Sequence, residues 1–321
     1  MQTPVCRLSH LDLPNDVFIK RDDLYPFSFG GNKARKAELF WEDVEALKAD
    51  YIVTYGSSSS NHCRVIANLA ARNGIPCLLI APQEKSEKTF NRDMTGLFGA
   101  DVLPVPVEHV KDTIDCTLEK LREDGYSPYF IMGGGHGNLG TQAYVNVYEE
   151  IRRYEEEKGW KFDRIFHASG TGTTQAGLIC GQLLSGEHAR RITGISIARR
   201  NPYGRDVVVQ SVKDYLKEQG KDTLYEDKYV EFVDDYTEDG YGSGSPAIDA
   251  WIRRMLIHEG IPLDETYTGK AFAGMCDYLE KNRVIGQKIL FIHTGGTPLF
   301  FDYLMKRDYD ECTGAELRNE K

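Results

Sequence analysis

The sequence predicts an α/β protein of two domains, each a mostly parallel twisted sheet with helices on both faces. Short apolar runs rich in β-branched and aromatic residues alternate with helix-length amphipathic segments along nearly the whole chain. Such alternation requires crossover connections, which give parallel strands covered on both faces. No repeat of fixed period and no low-complexity tract interrupts it. Length agrees: 321 residues, 41% of them hydrophobic, suffice for a sizeable core and for about two domains.

The first helix is read over Lys36–Lys48, where Leu39, Phe40, Val44 and Leu47 recur at helical spacing. Strands follow at Tyr51–Tyr55, Cys77–Ala81, Val102–Val107 and Tyr129–Met132. Asn138–Lys158 is a long helix ending in the charged run EEIRRYEEEK, a solvated face. A second series of strands occupies Arg164–His167, Ile192–Ala198, Tyr229–Val233 and Lys288–His293. The charged stretch Glu155–Lys161 separates the two series. Residues 45–158 are therefore expected to form a smaller domain, and 1–44 with 159–321 a larger one.

Charge and cysteine use narrow the functions. The chain carries 39 Lys+Arg against 49 Asp+Glu, net −10 with neutral His. That balance argues against nucleic acid as the main partner, which needs a basic footprint. It leaves room for an anionic ligand, because a nest of backbone N–H groups holds a phosphate even on an acidic protein. The opening MQTPVCRLSHLDLPNDVF lacks the basic and apolar regions of a signal peptide. No run approaches the roughly 18 apolar residues of a membrane span. The seven cysteines (Cys6, Cys63, Cys77, Cys116, Cys180, Cys276 and Cys312) are scattered without a CxxC pair. Neither a disulfide framework nor a metal site is indicated, and a cytoplasmic protein with reduced thiols is expected.

Four loops stand out as candidates for the handover from a strand to a helix, the position at which open α/β sheets bind ligands. Ser169-Gly170-Thr171-Gly172-Thr173-Thr174 is either a phosphate cradle at a helix N-terminus or a tight turn capped by hydroxyls. It lacks the P-loop Lys and the full GxGxxG pattern. Gly30-Gly31-Asn32-Lys33 leaves room for a bulky group against the backbone. A helix start beside Lys33 lowers its pKa, as a Schiff-base lysine requires. Lys36, one turn on, is read as exposed. Gly56–Arg64 holds four serines that either cap a helix or, with Asn61, bind a carboxylate. Within it His62 is a candidate proton carrier and Cys63 a packing residue. His293-Thr294-Gly295-Gly296-Thr297 closes the last strand, with Asp264–Lys270 upstream and Tyr241 and Tyr267 as further candidates, or as plain core tyrosines.

Taken together, Ile19-Lys20-Arg21-Asp22-Asp23, Gly30–Lys33, Ser60-Asn61-His62, Gly170–Gly177, Gly240-Tyr241-Gly242, Tyr267-Thr268-Gly269-Lys270 and His293–Gly296 resemble a family in this order. The chain resembles the tryptophan-synthase-β-like (fold type II) pyridoxal-phosphate enzymes, in the branch of D-cysteine desulfhydrase and 1-aminocyclopropane-1-carboxylate deaminase. The resemblance runs from about Lys20 to Leu304. It implies that the larger domain binds pyridoxal 5′-phosphate, with Lys33 as the Schiff-base lysine. It assigns the phosphate to Gly170, Thr171, Gly172, Thr173 and Thr174, and the cofactor's 3′-oxygen to Asn61. Ser60, Tyr241 and Tyr267 become catalytic, and Ser59, Ser60, His62 and Thr268 contact substrate.

The deaminase pattern places Glu after the pocket tyrosine and Leu after the final-loop His, where this chain has Thr268 and Thr294. That pair is desulfhydrase-like; either threonine is a candidate to face the pyridine nitrogen, Thr294 ahead of Thr268. The implied reaction is β-elimination from a small β-substituted amino acid to a 2-oxo acid and ammonia, with D-cysteine giving pyruvate and hydrogen sulfide. Alternatives are the cyclopropane deaminase, a lyase for cysteate or another β-substituted alanine, and a nucleotide-binding module without covalent chemistry. A homodimer is the family norm. Ser59 stands where the family has Gln, and Gly133-Gly134-Gly135-His136 where it has Gly-Gly-Ser.

Overall fold

Two sheets form, and the alternation of side chains along their strands decides what covers them. The computed structural model describes residues 1–83, 88–238 and 240–307, so Cys312 lies outside the described residues. The chain opens with β1 (Val5–Arg7), β2 (Asp16–Lys20) and α1 (Asn32–Leu47). It continues through β3 (Tyr51–Tyr55), α2 (Asn61–Arg72), β4 (Cys77–Pro82), α3 (Phe90–Leu97), β5 (Asp101–Val105), α4 (Val110–Glu123) and β6 (Pro128–Ile131). Next come α5 (Asn138–Lys158), β7 (Arg164–Ser169), α6 (Thr173–Leu184), β8 (Arg191–Ser196), α7 (Tyr203–Glu218) and β9 (Glu231–Val233). The last elements are α8 (Pro246–Glu259), α9 (Thr268–Lys281), β10 (Lys288–Ile292) and α10 (Thr297–Met305).

The four-stranded sheet has the order β5-β4-β3-β6 and is wholly parallel. The six-stranded sheet runs β1-β2-β10-β7-β8-β9, parallel except for the β1–β2 pair. Neither β1 nor β2 is among the strands expected from sequence. In β2 only Val17, Phe18 and Ile19 are apolar, and they lie between Asp16 and Lys20. Side chains alternate across the larger sheet. Ile289 and Phe291 of β10 pack with Ile252, Phe272 and Phe300 of α8, α9 and α10. Leu290 and Ile292 pack on the other face with Tyr148, Ile179 and Val212 of α5, α6 and α7. Each such buried side chain contributes roughly 2 kcal/mol.

The helix α5 thus belongs to the core of the six-stranded sheet, although its sequence position placed it with residues 45–158. Two glycines of α6 allow that contact. A Cβ on Gly177 would meet Thr141 O at 2.3 Å, and one on Gly181 would meet Tyr148 Cβ at 2.5 Å.

A buried polar cluster ties β2, α1 and α5 together. Lys20 Nζ donates to Glu150 Oε2 at 2.7 Å, and Arg35 bridges Glu150 and Asp22 at 2.7 and 2.8 Å. Thr3 and Tyr144 also donate to Asp22. Burial pushes the Asp22 carboxyl up, yet Arg35 and Lys20 beside it hold it below its ordinary value. Two cations face two anions, so the charges are mutually compensated in a site water does not reach. The cluster fixes the first turns of α1, which carry Lys33.

Candidate active site

A cavity of about 620 Å³ opens where the carboxyl ends of both sheets converge. Its walls come from the loops after β3, β6, β7, β8 and β10, together with the start of α1. These loops and the start of α1 sit beyond the carboxyl ends of parallel strands, where α/β sheets gather ligand-binding groups. Tyr267 instead reaches the cavity from the connection between α8 and α9.

Lys33 lies in the first turn of α1, and its Nζ donates to the Gly134 carbonyl at 2.9 Å. The preceding glycines serve backbone packing, not room for a ligand as expected from sequence. Gly30 and Gly31 have φ of 65° and 88°. A Cβ on Gly30 would meet Asp23 O at 2.2 Å, and one on Gly31 would meet Thr294 O at 2.6 Å. The Asn32 N–H then donates to Thr294 O at 2.9 Å, joining the Lys33 loop to the last-strand loop.

Burial lowers the Lys33 amine to about 8, the larger effect, against an opposite pull from negative charge at the nearby Cys63 sulfur. Only the unprotonated amine attacks a carbonyl. Capture of a carbonyl cofactor by the cofactor-free protein is therefore expected to quicken about tenfold per pH unit below 8 and to level above it. Stopped-flow absorbance between pH 6 and 10 checks this. A rate still climbing through pH 10 would mean an unperturbed lysine.

Lys36 is not the exposed residue expected from sequence. It is 1% exposed, and its Nζ donates to Thr173 Oγ1 at 2.5 Å and to Gly134 O at 3.3 Å. Burial and the neighbouring Lys33 hold it well below an ordinary lysine. The helical period of α1 turned it inward.

Thr173 lies in the glycine-rich loop, whose Gly170, Thr171, Gly172 and Thr174 line the cavity. Gly172 is the N-cap of α6 with φ 96°, and no side chain caps that helix start. The uncapped N–H groups there suit an anion. Thr174 Oγ1 accepts from Asn32 Nδ2 at 3.1 Å, and His136 Nδ1 bonds Thr171 O at 3.2 Å. The loop is thus braced from three sides, by Lys36, Asn32 and His136.

The serine loop divides. Ser57, Ser60 and Asn61 line the cavity, and Ser60 also caps α2 by accepting from the His62 N–H at 3.1 Å. Ser59 does not line the cavity, and its Oγ meets Ser57 Oγ at 3.0 Å. His62 points into the interior, where Nε2 bonds Thr54 Oγ1 at 2.8 Å. Burial, Lys33 and Lys36 hold its pKa well down, so it stays neutral. Cys63 packs behind, against Gly56.

Tyr241 and Tyr267 both line the cavity, and their hydroxyls are hydrogen-bonded to each other. Burial raises Tyr267 well above an ordinary phenol. Lys270 pins the Tyr241 loop by donating to Gly240 O at 2.8 Å and Thr237 O at 3.1 Å. The two threonines differ. Thr268 is fully buried, donating to Asp264 Oδ2 at 2.7 Å and accepting from the Asp264 N–H at 2.9 Å. Thr294 lines the cavity. Arg199, unremarked in the sequence, lines it too, and its place just past β8 is the signal that could have found it.

The family of pyridoxal-phosphate-dependent enzymes matches residues 1–295. The chain belongs to that family. It is 34% identical to a D-cysteine desulfhydrase of Serratia proteamaculans, over 94% of this chain and 93% of that one. It is 32% identical to a 1-aminocyclopropane-1-carboxylate deaminase of Bradyrhizobium diazoefficiens, over 94% of each. The crystal structure of an ACC deaminase homologue superposes with a TM-score of 0.86 at 32% identity, covering 95% of this chain and 93% of that one. The cavity fits the cofactor on its own chemistry: a partly neutral lysine amine on one wall, and an uncapped helix start with threonine hydroxyls on another.

Proposed function

We propose that the protein is a lyase that expels the β-substituent of a small amino acid, releasing a 2-oxo acid and ammonia, with D-cysteine as the leading substrate. Cysteate and other β-substituted alanines share this chemistry. The observation that carries the reading is the composition of the cavity wall. Thr294 lines it, and no Asp or Glu does among the described residues. A carboxylate would keep the cofactor's ring nitrogen protonated and spread charge into the ring, whereas a hydroxyl does this poorly. Electrons released at the α-carbon then need a β-leaving group at hand. Relatives named D-cysteine desulfhydrase support the same choice, and those named ACC deaminase supply the alternative.

When bound, pyridoxal phosphate draws electron density from the α-carbon of an attached amino acid. Lys33 would hold the cofactor through its amine, and its Nζ is the base that would take up the α-proton. The N–H groups of residues 170–174 and the hydroxyls of Thr171 and Thr174 hold the phosphate, with Lys36 behind Thr173. Asn61 bonds the 3′-oxygen. Ser57 and Ser60 bind the substrate carboxylate. The Tyr241–Tyr267 pair supplies a proton to the leaving group, since burial keeps Tyr267 protonated. Ser59, His62 and Thr268 act as scaffold in this proposal.

Product analysis tests the reading. Incubation with each hand of cysteine, cysteate and 3-chloroalanine should release 2-oxo acid, ammonia and leaving group in equal amounts from at least one. No 2-oxo acid from any of them would overturn it.

A further inference from the structure

An amide side chain can present its oxygen or its NH2, and the two ends differ little in shape. Asn61 stands at the cavity wall, so the end it shows decides whether the wall donates or accepts there. Its buried neighbours remove the choice. Arg64, 1% exposed, donates from Nε to Asn91 Oδ1 at 2.8 Å. A guanidinium has no acceptor, so the Asn91 oxygen must face it and the Asn91 NH2 must point away. That NH2 donates to the Ser59 carbonyl at 2.8 Å and to Asn61 Oδ1 at 3.0 Å, which uses both hydrogens. Asn61 therefore turns its oxygen inward and has its NH2 left for the cavity.

Arg64 is an unusual residue to bury. Burial alone pulls it down to about 10, and no acid among the described residues pairs with it. Its remaining bonds are from Nη1 to the carbonyl and the hydroxyl of Ser28. The guanidinium also lies 5.4 Å from the Phe29 ring centroid. Ser28 and Phe29 are successive non-glycine residues with φ of 44° and 58°, a backbone state that needs outside support. They lead directly into Gly30, Gly31 and Lys33. One buried cation thus spans α2, α3 and the loop that delivers Lys33.

We infer that Arg64 and Asn91 are positioning residues that fix Asn61 as a hydrogen-bond donor toward the cofactor's 3′-oxygen, with Arg64 also bracing the loop before Lys33. This rests on the proposed placement of that oxygen at Asn61. A donor there stabilises the oxygen's anionic form and lowers the pH midpoint of the bound cofactor's visible band. Asn91→Asp keeps size and keeps Arg64 satisfied, but its carboxylate cannot donate. Asn61 must then turn its NH2 to that carboxylate and show the cavity an oxygen.

The test is a pH titration of the visible band of the holoenzyme, with cofactor dissociation followed in parallel. Asn91→Asp should raise the midpoint by about one pH unit, and Asn61→Ala should raise it too. The double variant should match Asn61→Ala alone, because a relay has no effect once its end is removed. A bare charge effect would instead persist in the double variant. Asn91→Ala, which adds no charge, should move the midpoint in the same direction and serves if the aspartate variant does not fold. If Asn61→Ala shifts the midpoint and the Asn91 variants do not, or if the shifts add, the relay is overturned while the placement at Asn61 stands. If Asn61→Ala retains cofactor with an unchanged midpoint, that placement falls and the inference falls with it.

Discussion

Lys33→Ala is expected to lower 2-oxo acid production by about 10³-fold or more and to leave the purified protein without covalently held cofactor. Lys33 lines the cavity with an amine near 8, so it is unprotonated in useful amount at neutral pH. The other nearby lysines are committed elsewhere. Lys36 is bonded to Thr173 and Gly134 behind the cavity wall, and Lys270 to the carbonyls of Thr237, Gly240 and Ile197. Borohydride reduction of the wild-type holoenzyme should place the pyridoxyl group on the peptide holding Lys33. Recovery on Lys36 or Lys270 would reassign the site.

Gly172→Val is expected to weaken cofactor binding by about 10- to 100-fold, the equivalent of roughly 1–3 kcal/mol of backbone strain. Gly172 has φ 96°, which a β-branched residue resists, and its Cβ would meet Val208 Cγ2 at 3.3 Å. The start of α6 would have to shift, and with it the N–H groups assigned to the phosphate. Equilibrium titration of the cofactor-free variant measures the effect. Wild-type affinity would mean that the loop is a turn and nothing more.

The sheet architecture was legible because a strand buried on both faces announces itself as an apolar run, as in Lys288–His293. Strands β1 and β2 were not, since three apolar residues between charges carry no clear period. The loops bearing Lys33, Ser60, Asn61, Gly170–Thr174, Tyr241, Tyr267 and Thr294 could be picked out because glycines and hydroxyl side chains cluster in them. Which side chains of those loops reach the cavity was harder to read. His62 and Thr268 sit one residue beyond cavity-lining Asn61 and Tyr267, and helical geometry turns both inward. Lys36 was read as exposed and Arg64 drew no reading of its own, because nothing local reveals that a cation will find neutral acceptors in the interior. Gly30 and Gly31 were read correctly as special and for the wrong reason. Their partners, Asp23 and Thr294, come from elsewhere in the chain, and only the fold brings Thr294 to them.

The most direct test of the proposed chemistry compares two substrates on one enzyme. The proposed function sets Thr294 against the cofactor's ring nitrogen, and no carboxylate lines the cavity wall among the described residues. On that reading the nitrogen is expected to stay largely unprotonated, and a thiol or chloride to leave more readily than a cyclopropane carbon. The measurement is kcat/KM for the best β-substituted alanine against that for 1-aminocyclopropane-1-carboxylate, both followed by 2-oxo acid release. A ratio of about 100 or more is expected, corresponding to roughly 3 kcal/mol in transition-state stabilisation. A ratio near one, or one favouring the cyclopropane substrate, would contradict the account.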